Sequence, residues 1–268
     1  MPVRNEAWPE GTPCWVDCQV DDPVKESEFY AGLFGWEIQG GGEDAGGYLM
    51  AMKNGQSVAG IGPKPQPGML SVWTTYLAAA DADAVSAKVT RAGGQVLVPP
   101  FDVLDAGRMF VGADSTGAVF SVWQARGHNG AAVYNEHGAY CWNELHTRQL
   151  DMAEKFYADV FGYTYEHVGD GTTMRYALFI PPGCQEPVGG MNDDTVTPGE
   201  PTPSYWLTWF QFDDVDYGFA RAGELGATPM MPVMDSPVGR MAILAAPQGE
   251  AFGIIDGNVR VGEMPQPQ

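Results

Sequence analysis

Hydrophobic positions along this chain alternate, then recur at helical spacing, then alternate again, and the cycle repeats four times. Residues 14–20 alternate and predict a strand. Asp22-Pro23 offers a helix cap followed by a first-turn proline, Phe29, Tyr30, Leu33 and Phe34 form an apolar stripe, and Gly35 offers the stop. Short strands with glycine-rich turns follow around residues 48–52 and 56–61. A strand at 72–79 then leads into a helix at 81–92 stopped by Gly93-Gly94, and more strands end at 118–123. The second half repeats this order. A strand at 141–147 precedes a helix with Asp151 in its opening turn and the stripe Phe156, Tyr157, Val160 and Phe161. Strands around 174–180 and 187–191 follow, then a strand at 205–212, a helix at 214–225 closed by Gly226, and a last strand at 251–255. The predicted order is strand, helix, three strands, four times over.

The recurrence is also written in residue identities. Cys14-Trp15, Phe29-Tyr30-Ala31 and Phe34-Gly35-Trp36 return as Cys141-Trp142, Phe156-Tyr157-Ala158 and Phe161-Gly162-Tyr163, at a constant offset of 127 residues. Trp73-x-Thr75 with Asp81 and Asp83 matches Trp206-x-Thr208 with Asp214 and Asp216, and Gly107-Arg108-Met109 matches Gly239-Arg240-Met241. Three landmarks in one order indicate a duplicated module. The expected division is a tail at 1–11, a module at 12–125, a linker at 126–136, a second module at 137–258 and a tail at 259–268. Residues 192–204, rich in Asp, Thr and Pro, read as a long loop inside the second module.

Composition narrows the function classes. At 268 residues and 44% hydrophobic content, each module is large enough to bury a core. A net charge of −20 opposes nucleic acids and anionic membranes, since phosphate binding needs clustered Lys and Arg. No apolar run approaches the ~20 residues of a membrane helix. The N-terminal segment lacks a basic-then-apolar signal pattern, so a cytoplasmic location is expected. The four cysteines (14, 18, 141, 184) have no zinc spacing; Cys14 and Cys18 share a strand face suited to a reduced core.

The Phe29-Tyr30…Phe34-Gly35-Trp36 signature, Asp114-Ser115-Thr116-Gly117 before a final strand, and the Asp81 turn together resemble the vicinal-oxygen-chelate superfamily. That superfamily includes glyoxalase I, extradiol dioxygenases, and fosfomycin- and bleomycin-resistance proteins. The tandem arrangement resembles actinobacterial two-module proteins labelled glyoxalase-like or hydroxylase. The resemblance spans residues 12–258. It implies an α+β fold of two tandem modules, each made of two βαβββ units curling one sheet into a cup, an incomplete barrel. It also implies that enzymatic members hold a divalent metal in the cup through His, Gln and Glu. Alignment on the strands puts Trp15, Thr74 and Ser121 at those positions in the first module, and Trp142, Leu207 and Gly253 in the second. These are not a metal-ligand set, so no metal and no cofactor is expected.

Strand alternation then suggests what lines each cup. Trp15, Asp17 and Gln19 share one face, as do Trp142, Glu144 and His146. Thr74 and Tyr76 join the first cup and Leu207, Trp209 and Gln211 the second, with Ser121 on a late strand and Trp123 at a rim. Glu144 and His146, or Asp17, are candidates for proton transfer. Arg108 and Arg240 are candidates to clamp an anionic ligand group, the alternative being ion pairs with neighbouring acids. Gly60, Gly62, Gly189 and Gly190 read as turn and close-packing glycines.

Indoles and phenols with one carboxylate suit a flat, partly apolar small molecule. The leading expectation is a metal-independent binding protein for an aromatic or polyketide-like metabolite or antibiotic, in resistance or biosynthesis. The alternative is an enzyme of the superfamily without the usual metal triad. It would be a lyase, an isomerase, a hydroxylase-like protein or a detoxifier of an aldehyde such as methylglyoxal. Either way the expected partner is a small molecule, and the protein is a monomer or a homodimer.

Overall fold

In the computed structural model, residues 3–40, 46–196 and 201–263 are described; expectations for 1–2, 197–200 and 264–268 lie outside them. The first unit comprises β1 (Pro13–Val20), α1 (Pro23–Phe34), β2 (Glu37–Gly40), β3 (Leu49–Lys53) and β4 (Gln56–Pro63). The second comprises β5 (Val72–Ala78), α2 (Ala82–Arg91), β6 (Gln95–Val103), β7 (Gly107–Ala113) and β8 (Val119–Ala125). The third comprises β9 (Tyr140–Thr147), α3 (Leu150–Phe161), β10 (Thr164–Val168), β11 (Tyr176–Ile180) and β12 (Gly189–Asp193). The fourth comprises β13 (Tyr205–Gln211), α4 (Val215–Glu224), β14 (Thr228–Asp235), β15 (Arg240–Ala245) and β16 (Ala251–Asp256). The four predicted cycles are present. The edge strands β2 and β10, which alternation alone did not place, are short and hold no buried residue.

Helix punctuation follows the sequence. Asp22, Asp81 and Asp214 each accept a backbone N–H from the first turn, and Gly35 and Gly162 end α1 and α3 in the left-handed conformation. Each pair of units forms one eight-stranded sheet, ordered β2-β3-β4-β1-β5-β8-β7-β6 and β10-β11-β12-β9-β13-β16-β15-β14. The first strands of the paired units, β1 with β5 and β9 with β13, run antiparallel at the sheet centres.

The sheets stand back to back. At the middle, Asn143 of β9 accepts from Thr75 Oγ1 of β5 at 2.9 Å and Thr208 Oγ1 of β13 at 3.4 Å. On one side of this point the core joins the first unit and β5 to the fourth unit, with Phe34 of α1 and Trp73 of β5 lying 4.9 and 5.0 Å from Phe210. On the other side Phe120 packs on Phe156 and Tyr157, joining the second unit to the third. The convex faces and all four described helices therefore supply the core, and the two concave faces point away from each other.

Acids are buried in the first of these junctions. Glu26 of α1 and Glu250 of the β15–β16 turn are fully buried and meet across the modules. Gln248 donates to Glu26 Oε2 at 2.6 Å and the Tyr30 hydroxyl to Glu250 Oε1 at 3.0 Å. The remaining oxygens, Glu26 Oε1 and Glu250 Oε2, have no other partner, so a shared proton is the arrangement that leaves neither charge bare. Burial, with Glu26 adding repulsion, pushes Glu250 up to about 8. A carboxyl held above its unfolded value of roughly 4.3 contributes fully at low pH and loses that contribution as pH rises through the folded value. The melting temperature is therefore expected to fall between pH 6 and pH 9. Glu250→Gln, which keeps the hydrogen bond without the charge, flattens that decline, as thermal unfolding at the two pH values will show.

Candidate functional site

The concave faces are fixed by strand register. In the first module Trp15 stands opposite Tyr76, and Tyr76 opposite Ser121; Asp17 stands opposite Thr74 on one side and Gly60 on the other. In the second module Trp142, Trp209 and Gly253 form the corresponding row, and Glu144 stands between Leu207 and Gly190. The residues named from the sequence do share these faces. The row across the sheet centre runs through Tyr76 and Trp209, while Thr74 and Leu207 sit one step along, opposite the carboxylates.

Each floor is built on the same chain of hydrogen bonds. Trp15 Nε1 donates to the Tyr48 hydroxyl at 3.0 Å, and Tyr48 donates to Asp17 Oδ2 at 3.1 Å. Trp142 Nε1 donates to the Tyr176 hydroxyl at 2.9 Å, and Tyr176 donates to Glu144 Oε2 at 2.6 Å. The sequence reading missed both tyrosines. The available signal was a pair of glycines: a Cβ at Gly60 or Gly190 would lie 1.8 Å from the Tyr48 or Tyr176 hydroxyl oxygen. Each glycine is the gap across which a tyrosine reaches its acid.

Beyond that shared chain the floors diverge. In the second module His146 Nε2 lies 2.8 Å from Glu144 Oε1 and Nδ1 lies 3.0 Å from Asp194 Oδ1, with the ring stacked on Tyr205 at 4.7 Å and 5°. Burial opposes a charge on the ring, but the hydrogen bonds and charges of Asp194 and Glu144 outweigh it and raise His146 to about 9. For Glu144, burial raises the pKa, yet His146, Tyr176 and Trp209 as donors bring it below the usual carboxylate value. Near neutral pH this is an imidazolium donating both N–H groups to two carboxylates. As an imidazolium it has no lone pair with which to act as a base, and its two N–H groups are held between Glu144 and Asp194 in an ion triad.

The first module has Gln19, half-buried, where the second has His146. Asp17, 2% exposed, receives Tyr48 and Tyr76, the latter at 2.7 Å, both on Oδ2. Its Oδ1 is buried, with Thr74 opposite on the neighbouring strand. Burial pushes Asp17 up to about 6, against the hydrogen bonds of Tyr76, Tyr48 and Thr74. His128, within the segment 126–136 expected to be a linker, brings its ring edge-on to Trp15 at 4.6 Å, while the Trp123 indole donates to the His128 carbonyl at 2.9 Å. The remaining histidines lie elsewhere: His137 Nδ1 accepts the Asp213 amide and His167 pairs with Glu154.

Arg108 and Arg240 are corrected. Arg108 is held by Asp83 at 2.6 Å and Asp102 at 3.0 Å; Arg240 is held by Asp216 and Asp235, both at 2.6 Å. Both guanidiniums fasten a helix start to a hairpin, the ion-pair alternative, and are not free to clamp a ligand.

These rows are where the resemblance implies a divalent metal. Trp209 lies over Gly253 so closely that a Cβ there would meet its ring at 2.1 Å, so the second row is filled with indole. The first row presents Trp15, Tyr76 and Ser121. His146 turns its two nitrogens to opposite carboxylates, so Glu144, His146 and Asp194 do not converge on one point. No group of three or more His, Cys, Asp or Glu among the described residues is arranged to hold an ion. The residues present do not fit the metal.

Around the floors the concave walls are apolar and open. Cross-strand pairing puts Val72, Val98, Phe101 and Val119 on the first concave face, each between 41% and 47% exposed. The second has Tyr205 and Met234, with Met231, Met241, Ile243 and Ile255 half-buried beside them. The convex faces, by contrast, carry Trp73, Leu77, Phe110 and Phe120, all buried.

Two βαβββ units per sheet, twice, with floors on the paired first strands, define the glyoxalase-type fold, and the chain belongs to the Glyoxalase/Bleomycin resistance protein/Dioxygenase superfamily, whose model matches residues 15–122 and 142–254. Among its relatives is "Putative glyoxylase CFP32" of Mycobacterium tuberculosis, 41% identical over 95% of this chain and 98% of that one. Another is "Anthracycline biosynthesis protein DnrV" of Streptomyces peucetius, 35% identical over 92% of this chain and 93% of that one. The fold is shared with the Mn(II)-bound glyoxalase of Novosphingobium aromaticivorans (TM-score 0.62, 18% identity, 94% of this chain and 87% of that one). It is also shared with the 2,3-dioxygenase LapB of Pseudomonas sp. KL28 (TM-score 0.64, 14% identity, 96% and 94%).

Two outcomes test the floors. Gly190→Ala must displace the Tyr176 hydroxyl from Glu144, and overpacking of this kind costs about 1–3 kcal/mol, readable as a lowered urea midpoint. The His146 triad contributes fully below the ordinary imidazole value of roughly 6.5 and fades as pH rises through about 9. The stability gap between the native protein and His146→Gln should be wide at pH 6 and narrow at pH 10; an equal gap at both would contradict an imidazolium.

Proposed function

We propose that this is a metal-independent small-molecule-binding protein whose outward cups take a planar, aromatic, polyketide-like metabolite or antibiotic, in resistance or as an accessory in biosynthesis. One observation carries the reading. The concave faces keep apolar side chains exposed around a polar, hydrogen-bonded floor, while the convex faces are buried. Water-exposed apolar walls around a few fixed polar groups are what a flat ligand displaces solvent from. The methionines of the second cup add a wall that adapts to shape. The likeness to a protein named for anthracycline biosynthesis supports this ligand class.

A second reading, a metal-free enzyme of the superfamily using Glu144 and His146 or Asp17 for proton transfer, is favoured by Asp17, which burial raises to about 6.

The test is titration of the tryptophan emission and of heat with a panel of anthracyclines and simpler hydroxyanthraquinones, in protein treated with a chelator. Saturable quenching is expected, weakened at least tenfold in Trp142→Ala if the second cup is occupied. Absence of quenching across the panel, or binding that returns only with added nickel or zinc, would defeat the proposal. Turnover that survives chelation and disappears in Asp17→Asn would favour the enzyme.

A further inference from the structure

The N-terminal arm, residues 3–11, runs along the connector and the strand ends of the first module. Arg4 N–H donates to the Ala132 carbonyl at 2.8 Å, Asn129 Nδ2 to the Asn5 carbonyl at 3.0 Å, and Gly11 N–H to the Ala78 carbonyl at 2.8 Å. Fastened at both ends, the arm walls off a cavity of about 230 Å³ against the ends of β5 and β8. Five alanines, from the arm and both strand ends, leave the space. Trp8 and Trp123 bound it, with their indole N–H groups spent on the Ala131 and His128 carbonyls. The second module shows the same corner filled. Gly138 N–H donates to the Gln211 carbonyl as Gly11 does to Ala78. There His137, in the place of Glu10, packs on Phe212, in the place of Ala79, at 4.5 Å, and its Nδ1 accepts the Asp213 amide. In the first module a carboxylate and a methyl replace the imidazole and the phenyl ring, and the corner stays open.

The lining then selects the occupant. Glu10 is exposed and makes no hydrogen bond or ion pair among the described residues, and Asn129 Oδ1 accepts none. The one free side-chain donor is the Gln124 amide, whose Oε1 holds the Ala82 N–H at 3.0 Å. No Lys or Arg lines the cavity. Arg4, over the Trp8 ring at 4.8 Å, spends its Nε and Nη2 on the Glu6 and Ala7 carbonyls. An anion would meet the Glu10 carboxylate in a chain of net charge −20, whereas an ammonium meets two free acceptors. The alanines and indole rings suit a hydrocarbon body beside it. A cavity of about 150 Å³ holds one benzene, so this one has room for roughly nine non-hydrogen atoms. We propose that the cavity binds a small primary arylalkylamine, with its ammonium on Glu10 and Asn129 Oδ1 and its ring among the alanines beside Trp123. This site belongs to the first module alone and is independent of what the cups hold.

The probe is 2-phenylethylamine, compared with 2-phenylethanol, its neutral isostere, and with phenylacetate. Binding to the whole chain is followed by titration calorimetry and by the indole N–H resonances of the tryptophans. The amine should bind saturably and move the Trp8 and Trp123 resonances, with the alcohol about fivefold weaker, as a part-exposed ion pair allows, and phenylacetate silent. Glu10→Gln, at an exposed position where folding is not at stake, should bring the amine down to the affinity of the alcohol. Ala80→Phe, also at an exposed position, should fill the corner and remove binding of both. An amine that fails to bind or binds no better than the alcohol, a preference that survives Glu10→Gln, or binding untouched by Ala80→Phe would overturn the assignment. So would movement of the Trp142 resonance in place of Trp8 and Trp123, which would carry the amine to the second cup.

Discussion

A carboxylate at the floor of a curved sheet is the constraint around which each half of this protein is arranged. An acid with so little water around it is costly unless donors meet it. Here the first donor comes from two strands away, by a tyrosine reaching across a glycine, and that tyrosine is in turn held by an indole on the acid's own strand. An acid, a tyrosine, a glycine and an indole are thereby fixed together, and the central rows, where the resemblance implies a metal, become ring-filled. The aromatic floor and the poor fit to a metal are one fact seen from two sides.

The convex faces explain why the two halves stay together. Neither sheet buries its helices alone, because Phe34 finds Phe210 and Phe120 finds Phe156 in the other half. The junction also contains polar groups that serve geometry: Asn143 between two threonines at the centre, and the Glu26–Glu250 pair on one side only. Such groups add little net stability and much orientation, since only one alignment satisfies them.

The fold was legible because its signals are local and repeated. Capping aspartates, stop glycines and the Phe-Tyr stripe each act within one turn of chain, and duplication let every assignment be checked at a second position. The concave faces were legible for the same reason, since alternation sets parity. Three things were not. Tyr48 and Tyr176 reach their acids only once β3 and β11 are in place. Asp194 and Tyr205 flank His146 from either end of a loop, and His128 meets Trp15 by a path of the connector that no periodicity encodes. Arg108 and Arg240 illustrate the opposite case, where the ordinary explanation, a nearby acid, was already visible in Asp83 and Asp216.

Joining the two halves in one polypeptide has a genetic consequence. In an assembly of identical single modules, any change to one cup is made in both, so a substitution that closes one floor closes the other. Here position 19 can remain glutamine while position 146 becomes histidine, and the copies can drift toward separate tasks. One half is free to be rigidified while its sister evolves under its own constraints.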